Sequence, residues 1–104
     1  MKIAVASQNR REITDHTGRC RKFWIYEIVN ETTANKELLE LPKEQSFHDS
    51  SPHTSSPLDD VQVLLAGGMD TGLMRRLESN GIEPLITTET NLDKAVEDYL
   101  NTRP

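Results

Sequence analysis

The chain has 104 residues, 12 Lys and Arg against 17 Asp and Glu, three histidines and one cysteine, for a formal net charge of -5. That length suits a single domain, read here as residues 1–104, because two half-sized cores would each be marginal, and one cysteine excludes an internal disulfide framework while fitting a reducing, cytoplasmic setting. The acidic balance argues against general binding to nucleic acid or anionic membranes, and no apolar stretch is longer than that of Val63 to Ala66, far short of the ~20 residues that span a bilayer.

Met1–Lys2 leads straight into a strand-like run, Lys2 to Ala6 (K-I-A-V-A), with no secretory signal pattern. The run is apolar on both faces, which predicts an interior strand rather than an exposed edge. Phe23 to Val29 (F-W-I-Y-E-I-V) carries the strongest β signal, being almost wholly aromatic or β-branched. Alternation puts Trp24, Tyr26 and Ile28 on one face and Phe23, Ile25 and Val29 on the other. Asn30 to Asn35 reads as a polar turn and Lys36 to Leu41 as the returning strand of a hairpin.

The second half has a different rhythm. Val61 to Ala66 resembles a strand buried on both faces, as parallel strands are. Gly67–Gly68 turns the chain, and Thr71 to Asn80 is predicted helical, burying Leu73, Met74 and Leu77, with Gly81 ending it in the left-handed conformation. Ile82 to Thr87 is a further strand, placed at an edge by Pro84. Thr90 or Asn91 caps a last helix whose Leu92, Ala95, Val96, Tyr99 and Leu100 follow the i, i+3, i+4, i+7, i+8 pattern. The order is β, β-hairpin, then β-α-β-α, an α/β domain with a mixed sheet.

Two segments, 7–22 and 42–60, fit no regular element, and loops of that length in a small domain tend to be functional or disordered. They hold His16, Cys20, His48 and His53, the chain's entire stock of imidazole and thiol. Those side chains ligate borderline and soft metals. The spacing matches no paired zinc signature such as C-x-x-C or H-x-x-x-H. Around Cys20 stand Arg10, Arg11, Arg19, Arg21 and Lys22. Adjacent cations favour a thiolate and attract anions; the plainer reading is a solvated basic loop beside a buried cysteine, since free cysteine is commonly buried. Gly67 to Gly72 (G-G-M-D-T-G) joins a strand to a helix without matching either glycine-rich phosphate motif. It reads as a tight turn, with an anion or nucleotide site in a small regulatory module as the alternative function. The carboxyl ends of the strands at Ala6 and Ala66 would open onto one cleft.

The segments M-K-I-A-V-A-S and I-T-D-H-T-G-R-C-R-K-F-W-I-Y-E-I, with L-L-A-G-G-M-D-T-G-L-M-R-R-L-E-S-N-G-I-E-P and T-T-E-T-N-L-D-K-A-V-E-D-Y-L, resemble the dinitrogenase iron–molybdenum cofactor family, the NifX, NafY and NifB C-terminal domain type. His16, Gly18 and Cys20 fall on that family's H-x-G-x-C/A loop, which precedes an aromatic-rich strand; Thr17 stands where many members have phenylalanine. S-P-H-T-S-S-P-L-D resembles the family's histidine-bearing middle segment, although a helix common before the fourth strand has no periodicity here.

The resemblance implies a ribonuclease-H-like α/β domain that carries an iron–molybdenum or other Fe–S or Mo–S cluster without catalysing a reaction. Its partners would be the metal–sulfur cluster and the proteins that donate and accept it, with no nucleic acid and no membrane. His16 would be the principal cluster contact, Cys20 a thiolate ligand, and His48 and His53 contacts from the middle segment; Gly18, Arg19, Gly67 and Gly68 would complete the binding loops. A nuclease on the same scaffold would need clustered carboxylates for two Mg²⁺ ions, and K-I-A-V-A offers none.

Overall fold

The computed structural model describes residues 1–47 and 57–102. Among them the regular elements are β1 (Lys2–Ala6), β2 (Lys22–Val29), β3 (Thr32–Glu40), β4 (Val63–Ala66), α1 (Thr71–Ser79), β5 (Glu83–Ile86) and α2 (Leu92–Thr102). The strands form one mixed sheet in the order β3-β2-β1-β4-β5. β1 pairs antiparallel with β2 and parallel with β4, while β2–β3 is antiparallel and β4–β5 parallel. The double-sided apolarity of β1 therefore has its expected cause: it is the middle strand, and Ile3 to Ala6 have no exposed surface.

Alternation along the central strands sends side chains to two cores. Ala4, Ala6, Phe23, Leu64 and Ala66 pack with Leu73 and Leu77 of α1. Ile3, Val5, Tyr26, Ile28, Val63 and Leu65 pack with Leu92, Ala95 and Val96 of α2. The helices thus cover opposite faces of the sheet, the layered arrangement that buries a parallel segment on both sides. Each fully buried leucine, such as Leu64 or Leu77, contributes roughly 1.5–3 kcal/mol.

Caps follow local chemistry. The Asp70 carboxylate accepts the Leu73 N–H at 2.7 Å to open α1, and Gly81 at φ 78° ends it. Asn91 Oδ1 accepts the Lys94 N–H at 2.9 Å to open α2. β5 lies at a sheet edge, where Pro84 is tolerated.

The hairpin differs from its sequence reading. The turn is only Asn30–Glu31, both with positive φ (52° and 63°), and β3 begins at Thr32 instead of Lys36. This two-residue loop with both residues at positive φ suits the twist of antiparallel strands. Segments 7–22 and 42–60 contain short 3-10 turns at Thr17–Arg19, Lys43–Gln45 and Pro57–Asp60. Phe47, the last described residue before 48–56, is held on α1: Arg76 Nη1 donates to its carbonyl at 3.1 Å, with the guanidinium 5.1 Å from its ring centroid. No helix among the described residues is long and apolar enough to cross a membrane.

Candidate functional site

β1 and β4 are parallel neighbours, yet β1 leads to β2 on one side while β4 leads through α1 to β5 on the other. Strand order reverses between them, and in open α/β sheets the crevice at such a reversal, at the carboxyl ends of the strands, is where ligands bind.

Both loops leaving that edge are fastened together. Thr14 N–H donates to the Ala6 carbonyl and Gly67 N–H donates to the Thr14 carbonyl, each at 2.8 Å, so the loop after β1 continues the ladder between the two strands. The Thr17 hydroxyl, buried, donates to the Gly68 carbonyl at 2.5 Å. The loop lies so close that a Cβ on Gly68 would meet the Asp15 carbonyl oxygen at 2.5 Å, and one on Gly67 would overlap the Asp15 carboxylate. Glycine is required here for close approach of two backbones, the role it has wherever a chain must pass another without a side chain between.

This fastening leaves a cavity of about 420 Å³ lined by Asp15, His16, Thr17, Gly18, Arg19, Gly68, Met69 and Asp70. His16 is exposed just before the 3-10 turn, and its side chain makes no capping bond to that turn. Of the residues expected at a site, His16, Gly18, Arg19 and Gly68 line the cavity together, and Gly67 sits behind Gly68 against Asp15.

Cys20 is elsewhere. It is 1% exposed in the core on the α1 side of the sheet, and its thiol donates to the Lys22 carbonyl at 3.1 Å. Burial pushes the thiol above its ordinary pKa and outweighs the hydrogen bonds and the Lys22 charge that act the other way. The expectation that neighbouring cations would create a reactive thiolate is therefore corrected: the side chain points into the core, away from the solvated charges. The basic cluster does not ring the cavity either. Arg21 Nε donates to the Leu41 carbonyl at 2.9 Å, the Arg10 carbonyl accepts the Trp24 indole N–H at 3.2 Å, and only Arg19 of the five cations lines the cavity. His48 and His53 lie outside the described residues. Among the described residues, no three His, Cys, Asp or Glu side chains are grouped to hold a metal ion.

Sequence reasoning took in Met69 and Asp70 only as parts of the 67–72 turn and did not place Asp15 at the site. The signal was the strand-to-helix turn itself, which marked the right edge of the sheet without saying which side chains would face the crevice. Asp70 also bears on the anion reading of 67–72. Its carboxylate already takes the Leu73 N–H at the start of α1, and its negative charge opposes a second anion there.

Thr17→Val is expected to cost about 1 kcal/mol, because the half-buried Gly68 carbonyl loses its donor while the volume of the side chain is kept. Urea denaturation would measure it, and an unchanged midpoint would show that the hydroxyl does not tie the loops.

The fold and the crevice define a small α/β domain with a cavity at its strand reversal. The chain belongs to the dinitrogenase iron–molybdenum cofactor family, whose model matches residues 1–102. An uncharacterized protein of Methanocaldococcus jannaschii is 28% identical over 102 residues, covering 96% of this chain and 86% of its own. Among solved structures, the crystal structure of PH0822 superposes with a TM-score of 0.80 at 20% identity, covering 99% of this chain and 91% of the other. The structure of a proposed dinitrogenase from Methanocaldococcus jannaschii superposes with a TM-score of 0.73 at 14% identity, covering 97% and 88%. A proposed NifB protein from Thermotoga does so at 0.68 and 18% identity, covering 98% and 89%. At these identities the structural likeness establishes the fold alone, a five-stranded mixed sheet with two helices. Family membership associates the chain with the iron–molybdenum cofactor of dinitrogenase.

Proposed function

We propose that this protein is a non-catalytic carrier that holds an iron–molybdenum or other metal–sulfur cluster at the cavity between β1 and β4. On this reading the domain is a ribonuclease-H-like scaffold working in the cytoplasm. It takes the cluster from a donor protein and yields it to an acceptor.

The observation that carries the reading is His16. It is an exposed imidazole on the wall of a cavity at the strand reversal, in a chain whose family is named for that cofactor. Imidazole is a good ligand for iron and for other borderline metals. A cargo held by few ligands on an open wall dissociates far more readily than a metal closed in by four, and a carrier requires that. Cys20 would enter this function as a core residue under the loop rather than as a ligand, given its burial.

The test is an anaerobic titration of the protein with tetrathiomolybdate and with a preformed iron–sulfur cluster, followed by visible absorbance and bound metal. Saturable binding that weakens at least tenfold in His16→Ala, about 1.4 kcal/mol, supports the carrier and its site. Wild-type affinity in the folded His16→Ala variant rejects the site, and no binding by wild type rejects the carrier.

A further inference from the structure

We propose that the Met69 thioether is a second soft donor in the cavity, so that the site receives a soft, positively charged metal centre, of the copper(I) class, between His16 and Met69. The proposal rests on the reading of this cavity as the cargo site and names the metal chemistry that the site selects.

Met69 is half-buried, lines the cavity and packs on the α1-side core. Its position is set from both sides. Gly68 before it is held by the Thr17 hydroxyl, and Asp70 after it is fixed as the cap of α1. His16 precedes Thr17, so the hydrogen bond from Thr17 to Gly68 joins the chain neighbours of the two donors. The contacts between the two loops thereby bring His16 and Met69 to the lining of one cavity.

Ligand chemistry narrows the occupant. Mg²⁺ and Ca²⁺ need several oxygen ligands, and structural zinc needs four N or S donors. Among the described residues no group of three or more His, Cys, Asp or Glu is available to supply them. Thioether sulfur selects soft ions, copper(I) above all, and a metal-bound imidazole is neutral. Charge points the same way: Asp15 and Asp70 face the cavity against one guanidinium, Arg19, a balance that favours a cation.

The experiment is an anaerobic titration with copper(I) alone, in competition with a coloured copper(I) chelator. It would be run in a Cys20→Ala background, which removes the only thiol, with circular dichroism confirming the fold. Copper-edge X-ray absorption would identify the ligands. Expected is one equivalent bound with both nitrogen and sulfur scattering. Met69→Leu, which keeps the side-chain volume, should weaken binding at least tenfold and abolish the sulfur scattering. His16→Ala should weaken binding and leave the sulfur. Absence of copper(I) binding, or affinity and sulfur scattering unchanged in Met69→Leu, overturns the proposal. The two readings separate cleanly. Cluster binding that depends on His16 with copper(I) binding indifferent to Met69→Leu keeps the carrier and removes this inference. Met69-dependent copper(I) binding by a protein that takes up no metal–sulfur cluster keeps the paired soft site and removes the cluster.

Discussion

Gly68→Ala is expected to destabilise the protein by about 2–4 kcal/mol, combining overpacking with the loss of one partly buried hydrogen bond. The atom that its Cβ would strike is the Asp15 carbonyl oxygen, 2.5 Å away, which is backbone and cannot rotate aside. Either the 7–22 loop retreats from the sheet, breaking the Thr14 ladder at Gly67 and Ala6, or the Gly68 carbonyl turns from the Thr17 hydroxyl. Gly72→Ala is the control. Its nearest neighbour would be Asp70 Oδ1 at 3.4 Å, an ordinary contact, and the position lies in the first turn of α1. Alanine there should be neutral or stabilising by up to ~1 kcal/mol, from helix propensity. Urea denaturation of the two variants compares a glycine that the fold requires with one that it merely tolerates. Equal midpoints would mean that the loops are not clamped at Gly68. In that case Gly67 to Gly72 would be a flexible glycine turn instead of one wall of a built cavity.

Much of the fold was legible because burial leaves periodic marks. The double-sided apolarity of β1 and of Val63 to Ala66 marked strands covered on both faces, and the spacing of Leu92, Ala95 and Val96 marked the buried stripe of α2. β3 was misread for the converse reason. It is a sheet edge whose Thr32 to Leu38 are all exposed, so no apolar alternation distinguishes it from a turn. The true turn was hidden as well. Glu31 takes a positive φ that its residue type does not advertise, whereas an Asn-Gly pair would have announced it.

The site divides along a similar line. His16 stood out because imidazole carries chemistry wherever it lies, and strand order placed it at the crevice. Proximity in sequence misled for the cations. Arg19, Arg21 and Lys22 flank Cys20 along the chain, but Cys20 closes the 3-10 turn with its side chain in the α1-side core, while Arg19 is exposed at the cavity and Arg21 donates to the Leu41 carbonyl. Met69 was read only as part of the 67–72 turn, and the structure packs it on the core while it also lines the cavity. Contacts between residues far apart in sequence, Thr17 with Gly68 and Thr14 with Gly67, bring its loop and that of His16 to one cavity.

Above pH 9 the protein should lose stability through two groups, one on each face of the sheet. Cys20 is buried, and its thiol is held above the ordinary value of 9.0. Tyr26 is 1% exposed; burial and then the carboxylate of Asp93, which accepts its hydroxyl at 2.6 Å, raise it well above 10.0. In the unfolded chain both groups ionise at ordinary values, so from pH 9, and again from pH 10, the unfolded state binds fewer protons than the native state. Stability then falls with rising pH, by about 1.4 kcal/mol per pH unit for each group. Below pH 8 neither group contributes a slope, because both are protonated in both states. Urea midpoints measured from pH 7 to 11 should therefore bend downward near 9 and more steeply near 10. Cys20→Ala should remove the first bend and Tyr26→Phe the second, whatever each costs in absolute stability. A first bend unchanged in Cys20→Ala would assign it to another group and mean that the thiol ionises at the same pH in the native protein as in the unfolded chain. That outcome would restore Cys20 as an available ligand beneath the His16 loop.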